Sequence, residues 1–317
     1  MAPTDPTALT LRPLTGPDEL ALFSRLPYVL NDELADDLDA GRRRPEWMWV
    51  ALRGDRLLAR VAWWSRTPGT DPYLLDIFDL ADDAPDPDLP DIALRLLRTA
   101  TAAVVPNGTR PPRYCGFLPA GSSGDQAARR AAETRTAILE RAGARLFVER
   151  LNLEWRPGAP VPDPGPRLTF RPLTDTGELI TLMTAVLEGT LDAHSREALT
   201  RLPAREVATE HYERELSRYT TPRDWWRTAT LPDGEPVGFV LPAHNAYGPI
   251  IAYLAVLPAH RGHGHIHDIL AEGTRTLATH DAPRIRATTD LTNTPMAQAF
   301  HRAGYHESGR QLDMTWG

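Results

Sequence analysis

A chain of 317 residues that is 42% hydrophobic and 24% charged has the length and apolar content for two ordinary domains, each with its own core. Its net charge of -7, without a basic stripe, argues against nucleic acid as a partner and suits a cationic small substrate. The one cysteine, Cys115, excludes an intramolecular disulfide framework and a cysteine-rich zinc site; no window approaches ~18 uninterrupted apolar residues, and MAPTDPTALT lacks the basic and apolar regions of a signal peptide, so a cytoplasmic protein with no membrane partner is expected.

The first expected element is a strand at LTLRPLT, residues 9–15, and a helical stretch follows it. A hairpin comes next, EWMWVALRGDRLLARVAWW from Glu46, and then a central apolar strand, YLLDIFDL from Tyr73. A helix, the strand RYCGFLP around Cys115, a second helix and a last strand ending at Trp155 complete the first half. The connector RPGAPVPDPGPR, Arg156 to Arg167, holds five prolines and two glycines, so it cannot be helix and reads as a semi-rigid extended linker.

After the connector the series begins again. LTFRPLT at residues 168–174 repeats the opening strand with one letter changed, displaced by 159 positions. The RAG of Arg141, Ala142 and Gly143 returns at Arg302, Ala303 and Gly304, and Trp155 returns as Trp316, both displaced by 161. Matching starts and ends at nearly equal offsets indicate a colinear duplication. The expected organisation is therefore one domain at 1–157, a linker at 158–167 and a second domain at 168–317, each a mixed α/β layer of sheet and helices. Trp225 and Trp226 precede the second hairpin as Trp47 and Trp49 precede the first, which favours core packing over substrate stacking for them.

The chemistry is concentrated in GPIIAYLAVLPAHRGHGHIHDILAEGTRTLA, Gly248 to Ala278. An apolar strand is stopped by Pro258, and Ile266, Ile269, Leu270 and Leu277 then recur at helical spacing. Between them, Gly262 and Gly264 let successive backbone N–H groups gather at a helix N-terminus, a concave donor site suited to phosphate, with the charge of Arg261 beside it. Neither a P-loop nor a dinucleotide fingerprint fits, since no Gly-Lys-Ser/Thr and no third glycine follow. The four histidines at 260, 263, 265 and 267 form neither a helical i, i+4 pair with a glutamate between nor the finger pattern of a metal site, so no metal is expected.

These residues resemble the acetyl-CoA-binding motif of the GNAT superfamily of N-acetyltransferases, a strand ending in V-x-P followed by Q/R-x-x-G-x-G/A. Val256, Pro258, Arg261 and Gly264 match, and Ile266 stands where the last small residue is usual. A second family segment, N-x-x-A/M-x-x-x-Y-x-x-x-G-F/Y, is similar to the run holding Asn293, Met296, Gly304 and Tyr305, with Phe300 in place of the tyrosine that in many members protonates the departing thiolate. The resemblance covers 168–317 directly and 9–155 only through the internal repeat.

The resemblance implies two tandem GNAT-like domains, each a mixed, mostly antiparallel, splayed sheet flanked by helices. In the second, Leu254, Ala255 and Val256 would face a pantetheine arm with their backbones. Arg261, Gly262, His263, Gly264, His265 and Ile266 would supply donors to the pyrophosphate, Asn293 would lie beside the pantetheine or simply cap its helix, and Phe300 is counted with these cofactor-binding residues. Acceptor-side acids are sought at Glu188 and Asp192, which family analogy places over the acceptor, and at Asp290 before Asn293. In the first domain Asp79, Asp82, Asp83, Asp86 and Asp88, with Pro85, Pro87 and Pro90, stand in place of the glycine loop; acids repel anions and prolines remove donors, so that copy reads as scaffold. The implied activity is acetyl transfer from acetyl-CoA, or a close acyl-CoA, to a primary amine of a small molecule or peptide, by direct attack in a ternary complex. The alternatives are a non-catalytic acyl-CoA-binding protein and a GNAT-fold enzyme using another acyl donor or an oxygen acceptor. A homodimer is one assembly open to such a chain.

Overall fold

The computed structural model describes residues 8–82, 86–122, 124–161, 163 and 165–317; Asp83 and Pro85, assigned above to the acidic loop, lie outside them. The first repeat runs β1 (Leu9–Pro13), α1 (Leu20–Phe23), α2 (Leu34–Asp39), β2 (Met48–Arg53), β3 (Arg56–Trp64), β4 (Leu74–Leu80), α3 (Leu89–Val104), β5 (Arg113–Pro119), α4 (Gln126–Arg141) and β6 (Ala144–Trp155). The second runs β7 (Thr169–Pro172), α5 (Thr176–Val186), α6 (Ala193–Leu199), α7 (Ala204–Arg214), β8 (Arg227–Thr230), β9 (Pro236–Asn245), β10 (Gly248–Val256), α8 (His265–Ala278), β11 (Ile285–Asp290), α9 (Thr294–Arg302) and β12 (His306–Trp316). Among the described residues no helix is long and apolar enough to cross a membrane.

The compact units are not the two repeats. One unit comprises residues 1–149 with 309–317, the other 150–308. The sequence places the division in the proline-rich connector at 158–167; contacts place it inside β6 and inside β12 instead. The physical reason is backbone pairing. In the second unit residues 150–155 of β6 pair antiparallel with β11, from Ile285↔Trp155 to Asp290↔Arg150. In the first unit β12 pairs antiparallel with β5, from Gly309↔Pro119 to Met314↔Tyr114. Each repeat thus gives the latter part of its last strand to the other unit, and an edge that would otherwise present unpaired N–H and C=O groups is covered.

Within each unit the sheet is mostly antiparallel and carries helices on both faces. Alternation along β2 shows why: Met48, Val50 and Leu52 join the cluster that contains Phe23 and Leu34, while Ala51 joins the cluster that contains Leu96 and Ile138, as period-2 side chains must. In the second unit Phe239 and Leu241 on β9 face α5 and α7, whereas Val240 faces α8 with Ile269 and Leu270. Trp226 and Trp47 are buried in these cores; Trp225 packs partly buried with its ring centroid 4.2 Å from that of His280.

The repeated LT-RPLT heptad has a structural cause. On β1, Arg12 donates both guanidinium arms to Glu19 at 2.7 and 2.6 Å, and Glu19 Oε2 accepts the Thr15 N–H at 2.7 Å. On β7, Arg171 does the same to Glu178 at 3.1 and 2.6 Å, and Glu178 accepts from the Thr174 N–H at 2.7 Å. A forked ion pair plus an amide bond locks strand to first helix in each copy. Burial of Glu178 works against its charge, but Arg171 and Thr174 outweigh that and hold the carboxyl at about 2. A lowered folded-state pKa stabilises above the ordinary carboxylate range and is lost as pH falls through the folded value. Stability is therefore expected to decline between about pH 4.3 and 2, and Glu178→Gln should flatten part of that decline in thermal melts; an unchanged acid profile would remove Glu178 from the ledger.

Candidate active site

β10 pairs with β9 over nearly its whole length, from Gly248↔Asn245 to Val256↔Gly238, with a bulge that inserts Ala252 between the Ile251 and Tyr253 registers. Its other neighbour, parallel β11, meets it among the described residues at Ile250↔Arg286 alone, and the strands separate beyond. Ala252 to Val256 are consequently half-exposed. Leu254 and Val256 pack toward α8, while Ala252, Tyr253 and Ala255 pack toward α5 and α7. One backbone edge of a central strand is thus left beside an open groove, a template for a strand-like ligand.

The groove leads to the glycine loop. Gly262 (φ 82°) and Gly264 (φ 77°) are both left-handed, the conformation glycine adopts without Cβ cost. Gly264 is the N-cap of α8 and offers no side-chain cap. The backbone N–H groups of Gly264, His265 and Ile266 have no acceptor among the described residues, so the open donors of a helix N-terminus and its positive dipole end are presented together. The last residues of the connector brace this turn: Asp268 accepts from the Gly165 N–H at 3.1 Å and from Arg167 at 2.7 Å, and Arg167 also donates to the His263 carbonyl at 3.1 Å. Ile266 packs against the core rather than crowding the loop.

Four histidines surround the loop. The His265 ring centroid lies 6.0 Å from that of His263 and 6.3 Å from that of His260. Burial, followed by the charge of Arg167, lowers the His265 pKa, and its Nδ1 is buried without a partner. His267 is lowered by burial and by Arg302, which lies 3.0 Å from its Nε2.

Arg261 differs from the expectation. Its N–H donates to the Pro258 carbonyl at 3.3 Å, and its guanidinium is committed to the carbonyls of Val256 (3.3 Å), Glu188 (2.7 Å) and Val186 (2.8 Å). It braces the protein instead of joining the open donors.

The three acids also fall into distinct roles. Asp290 is 1% exposed, and both oxygens are taken, Oδ1 by Arg150 Nε at 3.0 Å and Oδ2 by the Ala193 N–H at 2.6 Å. It holds β6, β11 and the start of α6 together. Asp192 N-caps α6 through the Ser195 N–H at 2.7 Å; burial raises its pKa, but Arg150 and the cap bond prevail and lower it overall. Glu188 is exposed, with a side chain that has no hydrogen-bond or ion-pair partner among the described residues. Asn293 caps α9, its Oδ1 accepting from the Met296 N–H at 3.4 Å. Phe300 is 1% exposed and meets Tyr305 edge-on at 5.0 Å, and the Tyr305 hydroxyl lies 2.9 Å from Thr274 Oγ1. Sequence reasoning missed Arg150, because nothing local marks a strand of the first repeat as part of this site.

The first unit has the corresponding splay, β4 meeting β5 at Leu74↔Arg113 and Leu75↔Tyr114, but there it is filled. The Tyr28 hydroxyl donates to the Asp76 carbonyl at 3.0 Å and accepts the Phe117 N–H at 2.8 Å, bridging the diverging strands. Arg60, fully buried, holds Asp79 at 2.9 Å with Arg135 at 3.3 Å on the other oxygen. Leu75 to Asp79 are all buried, in contrast to Ala252–Val256. Asp79 thus belongs to the strand, not to an anion-repelling loop, whereas Asp86 in that loop pairs with Arg53 at 2.6 Å.

Residues 192–305 match the model of the Acetyltransferase (GNAT) family. Among solved structures, a GCN5-related N-acetyltransferase from Sphaerobacter thermophilus aligns with a TM-score of 0.60 at 15% identity, covering 98% of this chain and 95% of that one. A tandem GNAT protein from the clavulanic acid biosynthesis pathway aligns at 0.51 and 14% identity, covering 97% and 98%. An acetyltransferase of the same family from Colwellia psychrerythraea aligns at 0.50 and 12%, covering 97% and 100%. No curated protein matches the chain significantly. Identities this low establish a shared fold.

Proposed function

Because residues 192–305 belong to the acetyltransferase (GNAT) family, we propose that this chain transfers an acyl group from acetyl-CoA, or a close acyl-CoA, to a primary amine of a small molecule or peptide. The observation that carries the reading is the open groove between β10 and β11 ending at three unpaired N–H groups on α8. A pantetheine arm fits the free edge of β10 as an added strand, and a pyrophosphate fits the α8 N-terminus. The amine, having lost its ammonium proton to solvent or a base, attacks the thioester carbon in a ternary complex; the C–N bond forms, the C–S bond breaks, thiolate leaves, and the second proton on nitrogen passes to solvent or to the thiolate, giving the amide. Proximity supplies much of the rate, and backbone N–H groups along the splayed strand stabilise the oxyanion. The first unit, its groove closed by Tyr28, serves as scaffold.

Thiol release from acetyl-CoA across a panel of primary amines tests this, with calorimetry expected to give one CoA per chain. A CoA-dependent thermal shift without turnover on any amine would instead make the chain a binding protein. The pH profile adds a second check. Position 300 carries no ionisable group, and burial pushes the Tyr253 and Tyr305 phenols up. An alkyl ammonium must lose its proton before attack, whereas a thiolate, with a thiol pKa of ~8.5, leaves without an acid. kcat/KM is therefore expected to rise with pH to a plateau. A descending limb in folded, CoA-bound protein, lying above ~10 if Tyr253 or Tyr305 is responsible, would identify a phenol acting as the acid.

A further inference from the structure

The two copies use one repeated arginine differently. α3 and α8 each carry a single acid in the first turn, Asp91 and Asp268, and the arginine of the repeated RAG ends the neighbouring helix in each copy, Arg141 on α4 and Arg302 on α9. In the first unit the two meet, Arg141 Nη2 donating to Asp91 Oδ1 at 2.6 Å. In the second they do not. Asp268 is occupied by the connector, accepting from the Gly165 N–H at 3.1 Å and from Arg167 Nη2 at 2.7 Å. Arg302 is left with His267, its Nη1 donating to Nε2 at 3.0 Å, and has no carboxylate at ion-pair distance among the described residues.

His267 does not neutralise it. Burial first, and then the charge of Arg302, lowers the imidazole pKa, so near neutrality the ring is uncharged and accepts through Nε2. Arg302 is exposed and spends one arm of its planar fork on this contact; the other donors remain open to solvent. Position ties this fork to the cradle. A Cβ on Gly264 would stand 3.8 Å from His267 Cδ2, so a single imidazole ring separates the open N–H groups of α8 from the guanidinium. Two anion-seeking groups of different chemistry thus lie side by side: helix amides suited to a phosphodiester, and a fork that pairs bidentately with a terminal phosphate. A cation in the last turn of α9 also complements the helix dipole, a role that any positive side chain fills.

Resting on the acyl-CoA reading above, we infer that Arg302 sets donor specificity by taking the monophosphate on the ribose of CoA, an anion that does for Arg302 what the Asp91 carboxylate does for Arg141. The donor is then the free CoA thioester. A phosphopantetheine carried on another protein has only its phosphodiester, which the cradle takes, and leaves Arg302 without an anion.

Calorimetry of the full chain with CoA and with dephospho-CoA, which lacks only that monophosphate, tests the assignment at low ionic strength, where exposed charges are least screened. The wild type is expected to bind CoA about 10-fold more tightly than dephospho-CoA. In Arg302→Ala the two affinities converge to within about 2-fold, through weaker CoA binding alone, while dephospho-CoA affinity is unchanged. Arg302→Lys, which keeps the charge at the end of α9 but not the fork, gives an intermediate ratio. Equal affinities in the wild type, or a preference for CoA that Arg302→Ala leaves intact, overturn the inference while the acyl-CoA reading stands. An equal loss for both ligands in Arg302→Ala also overturns it, by assigning Arg302 to the pyrophosphate or to the fold. Binding of neither ligand to the wild type defeats the acyl-CoA reading itself.

Discussion

Gly264→Asp is expected to abolish measurable acyl-CoA binding, a loss of at least ~100-fold or about 2.7 kcal/mol, while the protein remains folded. Two effects combine. Gly264 has φ 77°, where a residue with a Cβ costs about 1–2 kcal/mol, although aspartate tolerates that region better than most residues. The larger effect is electrostatic: a carboxylate at the N-cap of α8 accepts from the same first-turn N–H groups that a phosphate needs, and it repels the phosphate as well. A Cβ at this position meets only His267 Cδ2, at 3.8 Å, so packing is not the obstacle. Gly264→Ala isolates the strain and should lose far less. Calorimetry decides the matter, and unchanged affinity in the aspartate variant would dismiss the loop as the cofactor site.

Replacing Arg150 with alanine should destabilise the second unit by about 3–5 kcal/mol, the usual cost of leaving a buried charge without its partner. The Asp290 side chain is fully buried and Arg150 only 20% exposed, so solvent cannot replace the guanidinium. Asp192 loses its neighbour at 3.6 Å as well. Adding Asp290→Asn to Arg150→Ala removes the stranded charge and should restore part of the loss. Urea unfolding of the single and double variants measures it; a single-variant loss below ~1 kcal/mol would show that Asp290 does not depend on the pair. For the same reason a fragment spanning 168–317 is expected not to fold stably alone, since it lacks the strand that pairs with β11 from Ile285 to Asp290.

What the sequence by itself determined is local or periodic. The duplication, the hairpins and the strand–loop–helix at Gly248–Ala278 were legible because a left-handed glycine, a proline stop and a helical apolar face are properties of short segments. The Arg12–Glu19 and Arg171–Glu178 locks each lie within eight residues of chain, but their acids fall beyond the repeated heptads, and the structure assigned them. The proline-rich connector is likewise visible, but it marks only where the chain cannot be helix.

Tertiary structure alone decided which strand completes which sheet, and therefore where the compact units divide. It placed Arg150 on Asp290 across 140 residues, Asp290 on Ala193 across 97 and Tyr28 on Phe117 across 89. It also withdrew Arg261 from the phosphate side and committed it to Val186, 75 residues earlier. In each case a buried charge, hydroxyl or strand edge must find a partner or incur a desolvation cost of several kcal/mol. That partner is selected by what the folded chain brings within ~3 Å, which neither spacing nor composition encodes.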